Sequence, residues 1–174
     1  NEMCETETPA FGEKYNVKPS FIRNGSGSTL AKVDAEKKNP QADVWYGGTL
    51  DPQSQAGEMG LLQPYKSANL GEIMEKFRDP AKVKGNLSSA VYVGILGFGV
   101  NTQRLKEKNL PIPKCWKDLT KPEYKSEIQI ADPQSSGTAY TALATFVQLW
   151  GEDQAFDYLK QLNSNISQYT KSGI

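Results

Sequence analysis

One local pattern occurs three times in this sequence: an apolar run, a short loop of glycine, serine and threonine, then a segment of helical period. The loops lie at residues 24–29 (NGSGST), 47–49 (GGT) and 135–138 (SSGT). Strands that alternate with helices through such short loops cannot pair as hairpins. They predict a parallel sheet covered by helices, an α/β fold. In open sheets of this kind, ligands sit beyond the carboxyl ends of the strands, where these loops gather.

The individual elements follow from period and punctuation. Residues 15–23 alternate and read as a strand entering the first loop. A helix over 28–39 follows, with Leu30 and Val33 inward, Ser28 or Thr29 as N-cap, and Asn39-Pro40 as its stop. Residues 42–49 predict a strand, and 51–62 a helix closed by Gly60. An amphipathic turn or helix is expected over 70–78. The run 88–102 is too long for one strand and contains Gly94, Gly97 and Gly99, so it reads as two strand segments meeting at the glycines. A brief helix at 104–110 and a proline-marked connection lead to a strand at 128–133. Helices over 137–151 and 152–166 come next, and 167–174 reads as a polar loop.

Composition narrows the chemistry. Lys plus Arg is 20 and Asp plus Glu is 20, a formal net charge of zero, which gives no electrostatic drive toward nucleic acid. No apolar run reaches membrane-spanning length; the most apolar stretch, 90–100, is short and glycine-rich. Histidine is absent, which removes the commonest general base, the Ser-His and Cys-His pairs and the usual zinc sites. Cys4 and Cys115 have no CxxC spacing and fit either one disulfide or two separate thiols. The opening NEMCETETPAF carries no basic or apolar leader, as after cleavage or an arbitrary cut.

The small-residue loops admit two readings. Ser135 or Ser136 can cap a helix, or the free amides and the dipole at a helix start can bind an anion. GSGST lacks the spaced Gly-Lys-Ser/Thr of a nucleotide-binding P-loop, and the G-x-G of LGFGVNT falls inside apolar strand. Ser136 as a nucleophile would need a base beside it, and nothing singles out Lys171 or Asp132 for that task. Trp45 fits the core. Tyr46, Tyr140 and Tyr169 fit either core or cleft, where a phenol could stack on a sugar or ligate ferric iron.

The stretches GSGSTLAKVDAEKKNPQADVWYGGTLD, GLLQPYKS and ADPQSSGTAYTALATFVQLWGEDQAFDYLKQLNSNISQYTKSG together resemble solute-binding proteins of bacterial ABC importers. The resemblance is to the ferric-iron-binding type, and within it to the branch that includes sugar-phosphate and phosphonate binders. It implies a type II periplasmic-binding fold: two α/β lobes with a cleft between them, here incomplete at both ends. The lobes would cover 1–94 and 95–174, with a hinge at 94–99. It further implies a ligand site at Ser26, Gly27, Ser28, Gly48, Thr49, Ser135, Ser136, Gly137, Thr138 and Tyr140, together with Ser172 and Gly173, a pair that the residue pattern alone does not mark. The paired tyrosines that hold iron in many ferric binders would lie beyond this sequence, so a metal site is left open.

The expected function is capture of ferric iron with an anion, or of a small phosphate-bearing solute, with no resident cofactor and no catalysis. The alternative is an enzyme of the same fold acting on a phosphorylated small molecule. The implied partner is a membrane permease of the ABC type, not nucleic acid. The implied setting is the periplasm, or a lipid anchor outside a Gram-positive cell, with the full-length protein monomeric.

Overall fold

In the computed structural model, residues 2–78 and 86–171 are described. The α/β alternation is most complete in the second half. Strand β1 (Ile128–Ala131) and strand β2 (Ile166–Thr170) pair in parallel, joined by helices α5 (Gly137–Trp150) and α6 (Glu152–Asn163). Parallel neighbours need a crossover of this kind because a tight turn cannot join them. The register runs Ile128↔Ile166, then Gln129↔Gln168 through Ala131↔Thr170. Ser167 is the extra residue of a bulge, and its hydroxyl donates to the Ile128 carbonyl at 3.0 Å.

This strand corrects the polar loop expected over 167–174, and α6 stops at Asn163 rather than 166. The reason lies in Asn165, which is buried beneath the strand start. Its Nδ2 donates to the carbonyls of Leu119 and Lys121, both at 2.8 Å. Asn165→Ala strands those two acceptors, so unfolding free energy should fall by about 2–4 kcal/mol. Urea denaturation of the variant checks this; an unmoved midpoint would contradict it.

The core of this half follows from helical spacing. Helix α5 buries Ala139, Ala142 and Phe146, and α6 buries Ala155, Tyr158 and Leu162. Both sets recur at three- and four-residue steps, one face of each helix. Phe146 stacks on Trp150 and meets Trp116 and Tyr158 edge-on, with ring centroids 5.0–5.1 Å apart. Gly151, at φ +80, ends α5 and opens α6. A 3₁₀ turn at Trp116–Thr120 closes over α6. The Asp118 carboxyl is held down to about 2 by Lys121 and by the amides of Lys114 and Cys115.

In the first half, helices α1 (Glu2–Tyr15), α2 (Ser26–Ala35) and α3 (Leu50–Glu58) form, with α2 packed on α3. Helix α2 starts two residues earlier than the sequence suggests. Its N-cap is Gly25, not Ser28 or Thr29, and the Thr29 hydroxyl donates back to the Gly25 carbonyl at 3.0 Å. Helix α3 closes at Gly60 as expected, at φ +71. Leu61 N–H bonds to Ala56 O and Gly60 N–H to Gly57 O, the paired closure of a Schellman end. The 70–78 segment forms two short 3₁₀ turns, Leu70–Glu72 and Glu75–Phe77. Helix α4 (Thr102–Glu107) is capped by the Asn101 side chain, which accepts from Arg104 N–H.

The strands expected at 15–23, 42–49 and 88–102 do not form. Tyr15 is the last residue of α1, and the remaining segments run without a ladder partner among the described residues. A strand exists only through the partner that accepts and donates its backbone bonds. Their apolar side chains are correspondingly open to solvent: Ile22 and Val44 are about three-quarters exposed and Ile95 fully. Both cysteines are free thiols, which settles the pairing left open by the sequence.

Candidate functional site

The three small-residue loops meet. Each opens a helix, α2 at Ser26, α3 at Leu50 and α5 at Gly137, and the three N-termini converge. Thr49 N–H donates to Ser26 Oγ at 3.3 Å. A methyl group on Gly137 would lie 2.3 Å from Thr49 Oγ1 and 2.6 Å from Ser26 Oγ. Gly27 N–H donates to the Ser135 carbonyl at 3.2 Å. Gly47 and Gly48 stand at φ +76 and +87, in the left-handed region that favours glycine. That turn carries Thr49 into the meeting point.

The electrostatics follow from the helix ends. Each N-terminus presents unsatisfied N–H groups and the positive end of a macrodipole, roughly half a unit charge. The Gly137 and Thr138 amides have no acceptor among the described residues. Thr49 Oγ1 is buried and also lacks a partner among them, a costly state for a hydroxyl. Neutral donors in this arrangement suit an anion. No group of three or more His, Cys, Asp or Glu that could hold a metal occurs among the described residues.

The expected residues have distinct fates. Ser136 is the N-cap of α5: its buried hydroxyl accepts from Ala139 N–H at 3.4 Å, which answers the capping question raised by the sequence. The Ser135 hydroxyl donates to the carbonyls of Lys171 and Asp132, at 2.7 and 3.3 Å. Ser26, Gly27, Gly48, Thr49 and Gly137 lie at the junction. Ser28 and Thr138 are exposed within the first turns of α2 and α5. Tyr140 is exposed on α5, and Ser172 and Gly173 lie outside the described residues. Trp45 is half-buried. Tyr46 is exposed, and its pKa is raised by partial burial and then by Glu7. The Tyr169 hydroxyl donates to Asn163.

Three contributors escape the sequence reading. Tyr92, on the 88–102 run, accepts from Gly48 N–H at 2.9 Å and holds the Gly47-Gly48 turn from outside. Gln53 Nε2 donates to the Gly47 carbonyl at 2.8 Å. Gly25 is the N-cap of α2. Alternation marks Tyr92 as a strand residue but says nothing of which loop its hydroxyl reaches. Beyond α5 a groove of about 520 Å³ runs between Phe98, Trp116 and Ile130, with Ser136 and Thr138 on its lining.

Helix N-termini brought together from separate segments of the chain, with unpartnered donors between them, are the arrangement in which α/β binding proteins hold anionic ligands. The sequence family described as bacterial extracellular solute-binding protein matches residues 39–173, and the chain belongs to that family. The periplasmic binding protein AfuA from Actinobacillus pleuropneumoniae, solved with exogenous fructose-6-phosphate, is 74% identical with a TM-score of 0.95. That match covers 99% of this chain and 55% of the other. An uncharacterised Haemophilus influenzae protein (strain Rd) is 70% identical over 175 residues, all of this chain and 51% of that protein. The ferric binding protein from Campylobacter jejuni, at 23% identity and a TM-score of 0.69 over 98% of this chain and 52% of its own, shares the fold.

The fold is therefore that of the type II periplasmic binding proteins, of which this chain carries a part. It spans about half the length of the relatives it matches. The relatives that carry a description are periplasmic binding proteins, in a family described as extracellular solute-binding. No described helix is long and apolar enough to cross a membrane.

Proposed function

We propose that this chain belongs to the solute-capturing component of an ABC importer, and that it holds a small phosphate-bearing solute where α2, α3 and α5 converge. The observation that carries the reading is the set of unpartnered donors at that point: the Gly137 and Thr138 amides and the buried Thr49 hydroxyl. A phosphate monoester, with three acceptor oxygens and nearly two charges, satisfies several such donors at once. Likeness to a protein solved with fructose-6-phosphate, at 74% identity, agrees with this class of ligand. Ferric iron fits less well, since amides and hydroxyls offer a bare cation no negative charge.

The site binds and releases its solute unchanged. The Ser136 hydroxyl is committed to capping α5, and the sequence has no histidine to act as its base. Residues 1–94 and 95–174 act as two lobes, and the glycines at 94–99 form the hinge between them. Closure on ligand in the periplasm, or on a lipid-anchored protein outside the cell, presents a monomer to its permease.

Titration calorimetry of the full chain with fructose-6-phosphate, fructose and inorganic phosphate tests the reading. Binding of the sugar phosphate but not of fructose supports it; equal binding of the two sugars overturns it. Thr138→Val should weaken binding about tenfold, the loss of one charge-assisted hydrogen bond. Unchanged affinity would remove Thr138 from the site.

A further inference from the structure

The contact between the start of α2 and the loop before α5 leaves no room for a side chain. A methyl on Gly25 would lie 2.2 Å from the Ser135 carbonyl oxygen, and one on Gly27 would lie 2.2 Å from the Gln134 carbonyl oxygen. Both obstacles are backbone atoms, which cannot rotate aside as a flexible side chain does. The loop is also held from behind. Ser135 N–H donates to Asp132 O, and the Ser135 hydroxyl ties it to Lys171 O. Across the contact runs the bond from Gly27 N–H to Ser135 O.

Conformation does not explain these glycines. Gly25 sits at φ −68, and neither residue has a positive φ. Gly27 lies inside α2, where alanine is the better helix former. What the two positions share is a carbonyl oxygen closer than any Cβ could tolerate. Gly71, Gly94, Gly97 and Gly99 have no heavy atom within 4 Å of the same notional methyl, and Gly48, Gly57 and Gly137 are crowded by side-chain atoms; among the described glycines only Gly25 and Gly27 meet a backbone atom closer than 2.5 Å.

We infer that Gly25 and Gly27 are positioning residues: their bare backbones set how closely the N-termini of α2 and α5 approach, and so the width of the anion cradle between them. The inference rests on the ligand reading proposed above for what the cradle holds, but not for the contact itself. Across the two proposed lobes, a side chain at either position acts as a spacer.

The test uses Gly27→Ala in the full chain, with Gly71→Ala as control. Amide hydrogen exchange at residue 27, followed by NMR, reports the cross-contact hydrogen bond without any ligand. Calorimetry with fructose-6-phosphate reports the cradle. Gly27→Ala should exchange its residue-27 amide at least tenfold faster and bind the sugar phosphate at least tenfold more weakly. The control should match the parent protein. If the parent binds no fructose-6-phosphate but Gly27→Ala still loses amide protection, the spacing role stands and the ligand reading fails. Parent-like exchange in Gly27→Ala overturns the inference, as does parent-like affinity where the parent binds. Should Gly27→Ala not fold, Gly25→Ala, placed outside the helix interior, is read by the same two measurements.

Discussion

Phe146→Ala should lower the unfolding free energy by about 3–5 kcal/mol, the range for removing a fully enclosed aromatic ring. Phe146 is 1% exposed and touches three other rings, Trp116, Trp150 and Tyr158. Those neighbours are not free to collapse into the space. The Tyr158 hydroxyl donates to the Trp116 carbonyl at 2.7 Å, and burial pushes the Tyr158 pKa up to about 12. The variant should therefore keep most of its cavity, and cavity volume is what makes such losses large. Urea unfolding is the measurement, with the slope preserved and the midpoint lowered. A loss below about 1 kcal/mol would mean that the ring cluster repacks, against the general behaviour of close-packed interiors.

Gly137→Ala should leave stability near the parent value while reducing affinity for fructose-6-phosphate by about a hundredfold, roughly 2.7 kcal/mol. The added methyl would fall 2.3 Å from Thr49 Oγ1 and 2.8 Å from Thr49 Cγ2. Either loop must then retreat by close to an ångström, beyond the half-ångström tolerance of a preorganised site. Helix propensity favours the alanine, which offsets the strain in stability but not in binding. Gly151→Ala is the contrast: it strains a left-handed position at φ +80 with open space around it. That change should cost stability and leave affinity alone. An affinity for Gly137→Ala within twofold of the parent would show that the α5 N-terminus does not share a site with Thr49.

The parts of the fold legible in the sequence are those decided within a few residues. The start of α5 is such a case, because Ser136 caps it from its own first turn. The end of α3 is another, since Gly60 supplies the left-handed closure locally. Elements decided by distant partners were not legible. The strand β2 depends on β1 for its ladder, and its S-Q-Y-T run looks like surface until the partner is in place. The three apolar runs at 15–23, 42–49 and 88–102 show the converse: a strand pattern without a strand, because no described residue pairs with them. The N-cap of α2 was misplaced because Ser28 and Thr29 are good capping types. Close approach to the Gln134-Ser135 backbone selects Gly25 instead. At the site, the small-residue loops were visible as sequence, but Tyr92 and Gln53 entered only through the turn they hold.

The parallel pair has a kinetic consequence. The chain leaves the sheet at Ala131 and returns to it at Ile166, with only α5 and α6 between. That loop is shorter than the one closed by Gly27 and Ser135, so its closure entropy is smaller and this unit can assemble first. The contact of Gly27 with Ser135 joins segments far apart in sequence, and it has nothing to dock on until that unit exists. Substitutions there should accelerate unfolding and leave the folding rate alone, as expected for contacts formed after the barrier. A molecule thus displays the helical signal of α5 and α6 before it has acquired any grip on a solute.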